Sequence, residues 1–214
     1  METHKFETTL DVAYLTQPTS NTCQSTCLKM FGLYLESRLH LPSVIQKIGI
    51  REIWREINKG KDRPSTDRNS HKNMVWWLSK YFPNYNFSLV TTEDTDEVVS
   101  YVRGRIDSGF PVIVSTSHER TLGHFVLIVG YVEAEGDQMN SVRFVCHDPY
   151  GKFNPQLNSK AFGRRRYEGG MSLLTGGEVG PGKGVIYDRD GIGRVRSDAH
   201  SAGIYFMISG TETP

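Results

Sequence analysis

The run Gly123-His124-Phe125-Val126-Leu127-Ile128-Val129-Gly130-Tyr131 constrains the fold of this chain more than any other stretch. It is the most hydrophobic segment present, yet far shorter than the ~20 apolar residues a membrane-spanning helix needs. It must therefore be a central strand, and a sheet has to be built around it. Val142 to Cys146 reads as an antiparallel partner, with Val126 to Gly130 opposite Val142 to Cys146 and a turn at Glu135-Gly136-Asp137. Phe87 to Val90, Pro111 to Ser115 and Gly203 to Ile208 read as further strands, and Asp148-Pro149-Tyr150-Gly151 breaks the chain sharply after Cys146.

Upstream, the spacing turns helical. Cys23, Cys27, Met30 and Phe31 recur at helical intervals, with a helix end expected around Ser37 to His40, before Leu41-Pro42. Ser43 opens a second helix whose apolar stripe is Val44, Ile45, Ile48, Ile53 and Ile57. Gly49 is placed to split it, and Gly60 suits a left-handed cap. A third helix begins at Asn69 or Ser70, turns Met74, Trp77, Leu78, Tyr81 and Phe82 inward, and ends before Pro83. Thr92 to Ser108 reads as a fourth. Residues 1–16 look like an extended lead-in with a short strand or packing segment at 11–15. Asn158 to Tyr167 reads as a short helix, and Gly169 to Gly193 as a long irregular, glycine-rich excursion suited to a flap or binding loop. Helices first and mostly antiparallel strands after describe an α+β fold. We expect a single domain over residues 1–214, with a helical half at about 14–108 and a sheet half at about 109–214.

Composition narrows the function classes. Hydrophobic residues make up 37% and aromatics 11%, so the chain has the material for a packed core. A formal charge of +1 gives no overall push toward nucleic acid or membrane, and the short run Arg164-Arg165-Arg166 reads as a solvated face. Met1 to Leu10 is polar, so no signal peptide is expected. Three cysteines are too few for a disulfide framework and point to a reducing, cytoplasmic setting of bacterial type, or to a protein released or carried in a virion without a cleavable leader. Cys23 and Cys27 stand one helical turn apart with no second ligand pair, so neither a metal nor another cofactor is expected.

The candidate chemistry begins at Cys23. Ser20, Asn21 and Thr22 are helix-capping types, so Cys23 falls in a first helical turn. There the positive end of the helix dipole and unpaired N–H groups favour thiolate, the nucleophilic form. Gln17, six residues earlier, is positioned to fold back and donate to an oxyanion. His124 stands at the head of the central strand, rigidly held but at the edge of a cleft, as a general base must be. Gly123 before it allows another group to approach closely. Alternation puts Cys146 and Asp148 on one face and His147 on the other, and antiparallel pairing brings Asp148 beside His124. A carboxylate there holds the imidazole tautomer and stabilises the imidazolium. His71 and His118 lie in polar, loop-like surroundings and are weaker candidates.

Together, Gln17, Cys23, the run from Gly123 to Tyr131 and His147-Asp148-Pro149-Tyr150-Gly151 resemble the papain-like cysteine peptidases, and more closely the C39 peptidases and their C39-like relatives. The resemblance implies a papain-like fold and a catalytic set in which Cys23 attacks an amide carbonyl and His124 is its base. Asp148 orients His124, and Gln17 with the Cys23 backbone N–H lines the oxyanion hole. Gln24 stands where the family often has glycine, so Gln24 and Gly123 are the expected substrate contacts. Transporter-linked members trim leader peptides with membrane and ATPase domains attached. Neither is found in these 214 residues, so leader processing is not expected.

The function expected is a cysteine-dependent amide-bond hydrolase working through an acyl-enzyme intermediate. Its partner is a peptide or peptide-like substrate: a peptide, an isopeptide or a peptidoglycan stem. Two alternatives stay open. Acyl or peptidyl transfer needs the same triad, and a non-catalytic binding or virion-structural protein would keep the fold without turnover.

Overall fold

A computed structural model of the chain describes residues 5–19, 21–116, 124–134, 142–153, 167–168, 182–188, 192 and 203–213. The hydrophobic run does form the centre of the sheet, as strand β4 (His124–Ala134). One of its edges carries β3 (Val112–Thr116) along the first half and β1 (Lys5–Thr9) along the second; the other carries β5 (Arg143–His147). With β2 (Tyr85–Thr92), β8 (Val185–Asp188) and β9 (Tyr205–Glu212), the order is β2-β9-β3-β4-β5-β8, every pairing antiparallel. Two-residue strands β6 (Lys152–Phe153) and β7 (Tyr167–Glu168) pair separately.

Strand alternation gives each face its own apolar layer. Ile113, Phe125, Leu127, Val129 and Ile208 point toward helices α1 (Cys23–Arg38), α3 (Ile50–Lys59) and α4 (His71–Tyr81). Val112, Val114, Val126, Ile128 and Met207 point toward α5 (Thr95–Asp107), through Val98, Val99, Val102 and Ile106. The fold is the expected α+β arrangement, helices packed on an antiparallel sheet.

α1 is the central helix, buried nearly all round from Gln24 to Gly32. Its buried Lys29 donates to the carbonyls of Ile45, Gln46 and Ile48, while Glu36 accepts from the N–H groups of Ile45 and Gln46. One cation and one anion therefore tie the single turn α2 (Val44–Lys47) to α1 by its two sets of free backbone groups.

Several expectations need correcting. The lead-in contributes a strand that was not expected, β1 at Lys5–Thr9, while residues 11–15 take the packing alternative, with Val12 and Tyr14 buried. β1 comes so close to β4 that a Cβ on Gly130 would lie 2.3 Å from the Thr8 carbonyl oxygen. β2, from the helical half, pairs with β9 and belongs to the sheet. Gly49 does split the second helix, but Val44 is exposed. Gly60 has φ −60°, so its lack of a side chain serves a close approach instead: a Cβ would sit 2.4 Å from the Glu56 carbonyl oxygen. Within the glycine-rich excursion, residues 185–188 form β8. Tyr167 lies in β7, while the rest of the expected helix from Asn158, the turn at 135–137, Gly123 and His118 lie outside the described residues.

Candidate active site

Cys23 is the first residue of α1. Thr22, at the N-cap, makes no side-chain cap bond, because its hydroxyl donates to the Thr19 carbonyl at 2.9 Å and accepts from the Thr19 N–H at 3.1 Å. Asn21 is likewise taken by the Thr19 hydroxyl at 2.8 Å, and Ser20 lies outside the described residues. The first turn is thus bare of side-chain acceptors at the positive end of a 16-residue helix. Of the three thiols, Cys27 and Cys146 are fully buried, and burial pushes both well up from the ordinary thiol range. Cys27 donates to the Phe125 carbonyl at 3.4 Å. Cys23 is the half-exposed one.

His124 and Asp148 meet in the interior. His124 Nε2 lies 2.7 Å from Asp148 Oδ1, with the side chains 6% and 0% exposed. Cys23 stands close enough to the His124 ring to help raise its pKa. Nε2 is the ring nitrogen the carboxylate takes. Burial alone would lower the His124 pKa. The Asp148 charge and hydrogen bond, followed by those of Cys23, outweigh it and push the imidazole up to about 10. At neutral pH the ring is an imidazolium between two groups that favour its charge. Tyr150 stacks edge-on against it, ring centroids 5.9 Å apart.

The strand register explains the meeting. Leu127 pairs with His147, so the next step along β5 sets Asp148 opposite Val126, on the face His124 shares two residues earlier. This is two residues along from the expected pairing of Val126 with Cys146. His147 points to the other face, as expected. Its Nε2 lies 2.8 Å from the Val12 carbonyl oxygen, and its Nδ1 accepts from the Gly184 N–H at 3.2 Å.

The Peptidase_C39 like family matches over residues 9–169, about three quarters of the chain. The chain belongs to this family. The Gln-Cys-His-Asp order stands inside the matched span. Among solved structures it is similar to UfSP from C. elegans, at a TM-score of 0.51 and 12% identity over 97% of this chain. It spans 34% of that structure's length, and the likeness is one of papain-like fold. No curated protein matches the chain.

The other residues singled out in the sequence are placed as follows. Gln17 is completely buried, and its backbone N–H donates to the Pro149 carbonyl at 2.9 Å, tying its loop to the turn after Asp148. Its side-chain Nε2 donates to the Thr19 carbonyl at 2.8 Å, which fixes the amide's orientation and leaves one N–H to give. Its Oε1 has no partner among the described residues. Gln24, expected to face substrate, is 1% exposed instead; its amide accepts from Asn58 Nδ2 at 3.3 Å and approaches the Ser70 carbonyl at 3.5 Å. It links α1 to α3 and to the start of α4. His71 opens α4 and stacks on Phe206 at 4.5 Å and beside Phe125 at 5.3 Å, where burial lowers its pKa to about 4.

Other contacts were not foreseen. Asp148 Oδ1 also accepts from the Tyr150 N–H at 2.9 Å, and Oδ2 accepts from the Tyr187 hydroxyl at 2.8 Å. The Asp148 N–H donates to the Gly182 carbonyl at 2.9 Å, and the Tyr14 hydroxyl donates to the Asp148 carbonyl at 3.0 Å. An Asp-Pro turn in the sequence signals the bend, and nothing local announces the partners. Among the described residues no group of three or more His, Cys, Asp or Glu is arranged to hold a metal, and no helix is long and apolar enough to cross a membrane.

Proposed function

We propose that the chain hydrolyses an amide bond of a peptide-like substrate through a thioester on Cys23. The observation that carries this reading is the row formed by Cys23, His124 and Asp148: a half-exposed sulfur beside a buried imidazole, itself 2.7 Å from a buried carboxylate.

The Cys23 thiolate attacks the carbonyl carbon. The oxygen, as it becomes an anion, is received by the Cys23 N–H and the remaining N–H of Gln17. His124 gives its proton to the departing amine, so the C–N bond breaks and the thioester remains. Water, deprotonated by His124, then attacks the thioester and frees the acid and the thiol. Asp148 keeps Nε2–H in place throughout, so Nδ1 is the nitrogen that handles the proton. Gln24 serves as an internal brace in this scheme.

The test is a screen of the full chain against peptide libraries, isopeptide-linked peptides and peptidoglycan stem fragments, with iodoacetamide labelling alongside. Cys23→Ala and His124→Ala abolish turnover, and His124→Ala slows alkylation of Cys23. An enzyme that needs Cys27 and tolerates Cys23→Ala overturns the scheme.

A further inference from the structure

We infer that Tyr187 is a positioning residue for the site: its hydroxyl fixes the Asp148 carboxylate, so β8, beyond the family match, completes the machinery. The inference rests on the reading of Cys23, His124 and Asp148 given above.

Asp148 is 0% exposed, and its two oxygens have different suppliers. Oδ1 takes His124 Nε2 and the Tyr150 N–H, both from within the matched span of 9–169. Oδ2 takes the hydroxyl of Tyr187, a residue of β8 eighteen positions beyond that span. Without this hydroxyl, Oδ2 would lose a buried donor, and the carboxylate a restraint on rotation about its own axis. Rotation would swing Oδ1 away from Nε2, and the imidazole follows Oδ1.

β8 is built to deliver that hydroxyl. Tyr187 pairs with Phe144 and Val185 with Cys146, so both lie on the face of β5 that Asp148 continues. The turn before β8 grips the same segment by its backbone: the Gly182 carbonyl accepts from the Asp148 N–H, and the Gly184 N–H donates to His147 Nδ1. A Cβ on Gly182 would lie 2.1 Å from the Asp148 carbonyl oxygen and 2.7 Å from the Tyr14 hydroxyl, so only glycine fits there. Residues 182–187 thus hold Asp148 by main chain and side chain at once. A strand serving only to widen the sheet needs neither bond.

Tyr187→Phe keeps the ring and removes the donor. The probe is iodoacetamide, whose second-order rate with Cys23 is measured against pH, alongside the deshielded proton of the His124–Asp148 hydrogen bond in the NMR spectrum. The inference predicts that Tyr187→Phe slows alkylation at neutral pH by about 10-fold and shifts or broadens that resonance. Tyr131→Phe, which deletes a hydroxyl bonded to Asp107 at the other half of β4, changes neither. A Tyr187→Phe protein that melts earlier yet alkylates at the wild-type rate with an unmoved resonance overturns the inference. His124→Ala separates the two levels: if it leaves alkylation unchanged, the thiolate–imidazolium reading fails, and Tyr187 is then judged by the resonance alone.

Discussion

Replacing Asp148 by asparagine removes a charge from the site while leaving every hydrogen-bond position filled. Oδ1 receives two donors, His124 Nε2–H and the Tyr150 N–H, so the asparagine oxygen must occupy that place. Its NH₂ group then faces the Tyr187 hydroxyl, which is able to accept as well as donate. The imidazole keeps its tautomer and loses only its counter-charge. In the wild type that charge is the foremost influence holding the His124 pKa near 10 against burial. An opposite charge at this range is worth about 1–3 pKa units, at about 1.4 kcal/mol each. The alkaline edge of kcat/KM on a substrate from the screen, set by loss of the imidazolium that protonates the departing amine, therefore moves down by about 2 units in Asp148→Asn, or roughly 3 kcal/mol. At about pH 6 the variant stays close to wild type. Asp148→Ala removes the acceptor as well, so the ring loses its orientation and kcat/KM falls across the whole range. The same charge stabilises the fold: a raised histidine pKa contributes fully below the unfolded value of about 6.5, and that contribution is lost as pH rises through about 10. Asp148→Asn flattens this alkaline loss in thermal melts. An alkaline edge that stays put in Asp148→Asn refutes the account, because the carboxylate's charge would then not be what raises His124.

His71→Phe is expected to stabilise the protein in acid. The native ring is neutral in the fold with its pKa lowered to about 4, so stability is lost as pH falls from about 6.5 through about 4. That loss reaches about 3 kcal/mol. Phenylalanine keeps the stack on Phe206 without it, and urea melts at about pH 7 and about pH 4.5 check the difference. Cys27→Ala leaves the Cys23 alkylation rate intact and costs about 1–2 kcal/mol in the same melts, through lost packing and the lost bond to the Phe125 carbonyl. Gln17→Ala lowers kcat about 10²-fold on any substrate the screen yields, with little change in KM. An equal rise in KM instead would assign Gln17 to ground-state binding.

The parts of the fold legible in the sequence are those whose signal is local. β4 announces itself through an unbroken apolar run, and α1 through Cys27, Met30 and Phe31 at helical spacing, all fully buried. β1 and β8 do not. Each is five residues or fewer, and each owes its existence to a distant partner, β4 for one and β5 for the other. The site divides in the same way. That Cys23 opens a helix and that Asp148 lies beside His124 was legible as an arrangement, because capping residues and strand alternation set those positions. Gln24 was misread because adjacency in sequence suggested adjacency in the cleft. One residue further along a helix is a turn of about 100°, which carries the side chain from the open side of α1 into its contact with Asn58. Tyr187 carried no signal at all, since a tyrosine in a short strand is ordinarily a packing residue.

The irregularity in the β4–β5 pairing decides whether the carboxylate reaches the imidazole. From the hairpin end, Val132 pairs with Arg143, Tyr131 with Phe144 and Gly130 with Val145. Continued without interruption, that register would set His147 opposite Ile128 and Asp148 opposite Leu127. Asp148 would keep the face of Phe144 and Cys146, Phe125 and Leu127 would join it there, and His124 would lie on the opposite face. The register instead shifts between Ile128 and Gly130, with Val129 as the extra residue, and Leu127 comes to face His147. A shift of one residue exchanges the two faces of everything beyond it. His124 and Val126 are brought onto the face of Asp148, while His147 points the other way, to Val12. The bulge also lets both ends of β4 stay buried, with Val129 and Val132 kept on the helical side and Tyr131 on the other. Bulges gather beside active sites because they re-aim side chains without breaking a sheet. Here the side chain re-aimed is the imidazole of His124, which the bulge in β4 turns onto the face that holds the Asp148 carboxylate.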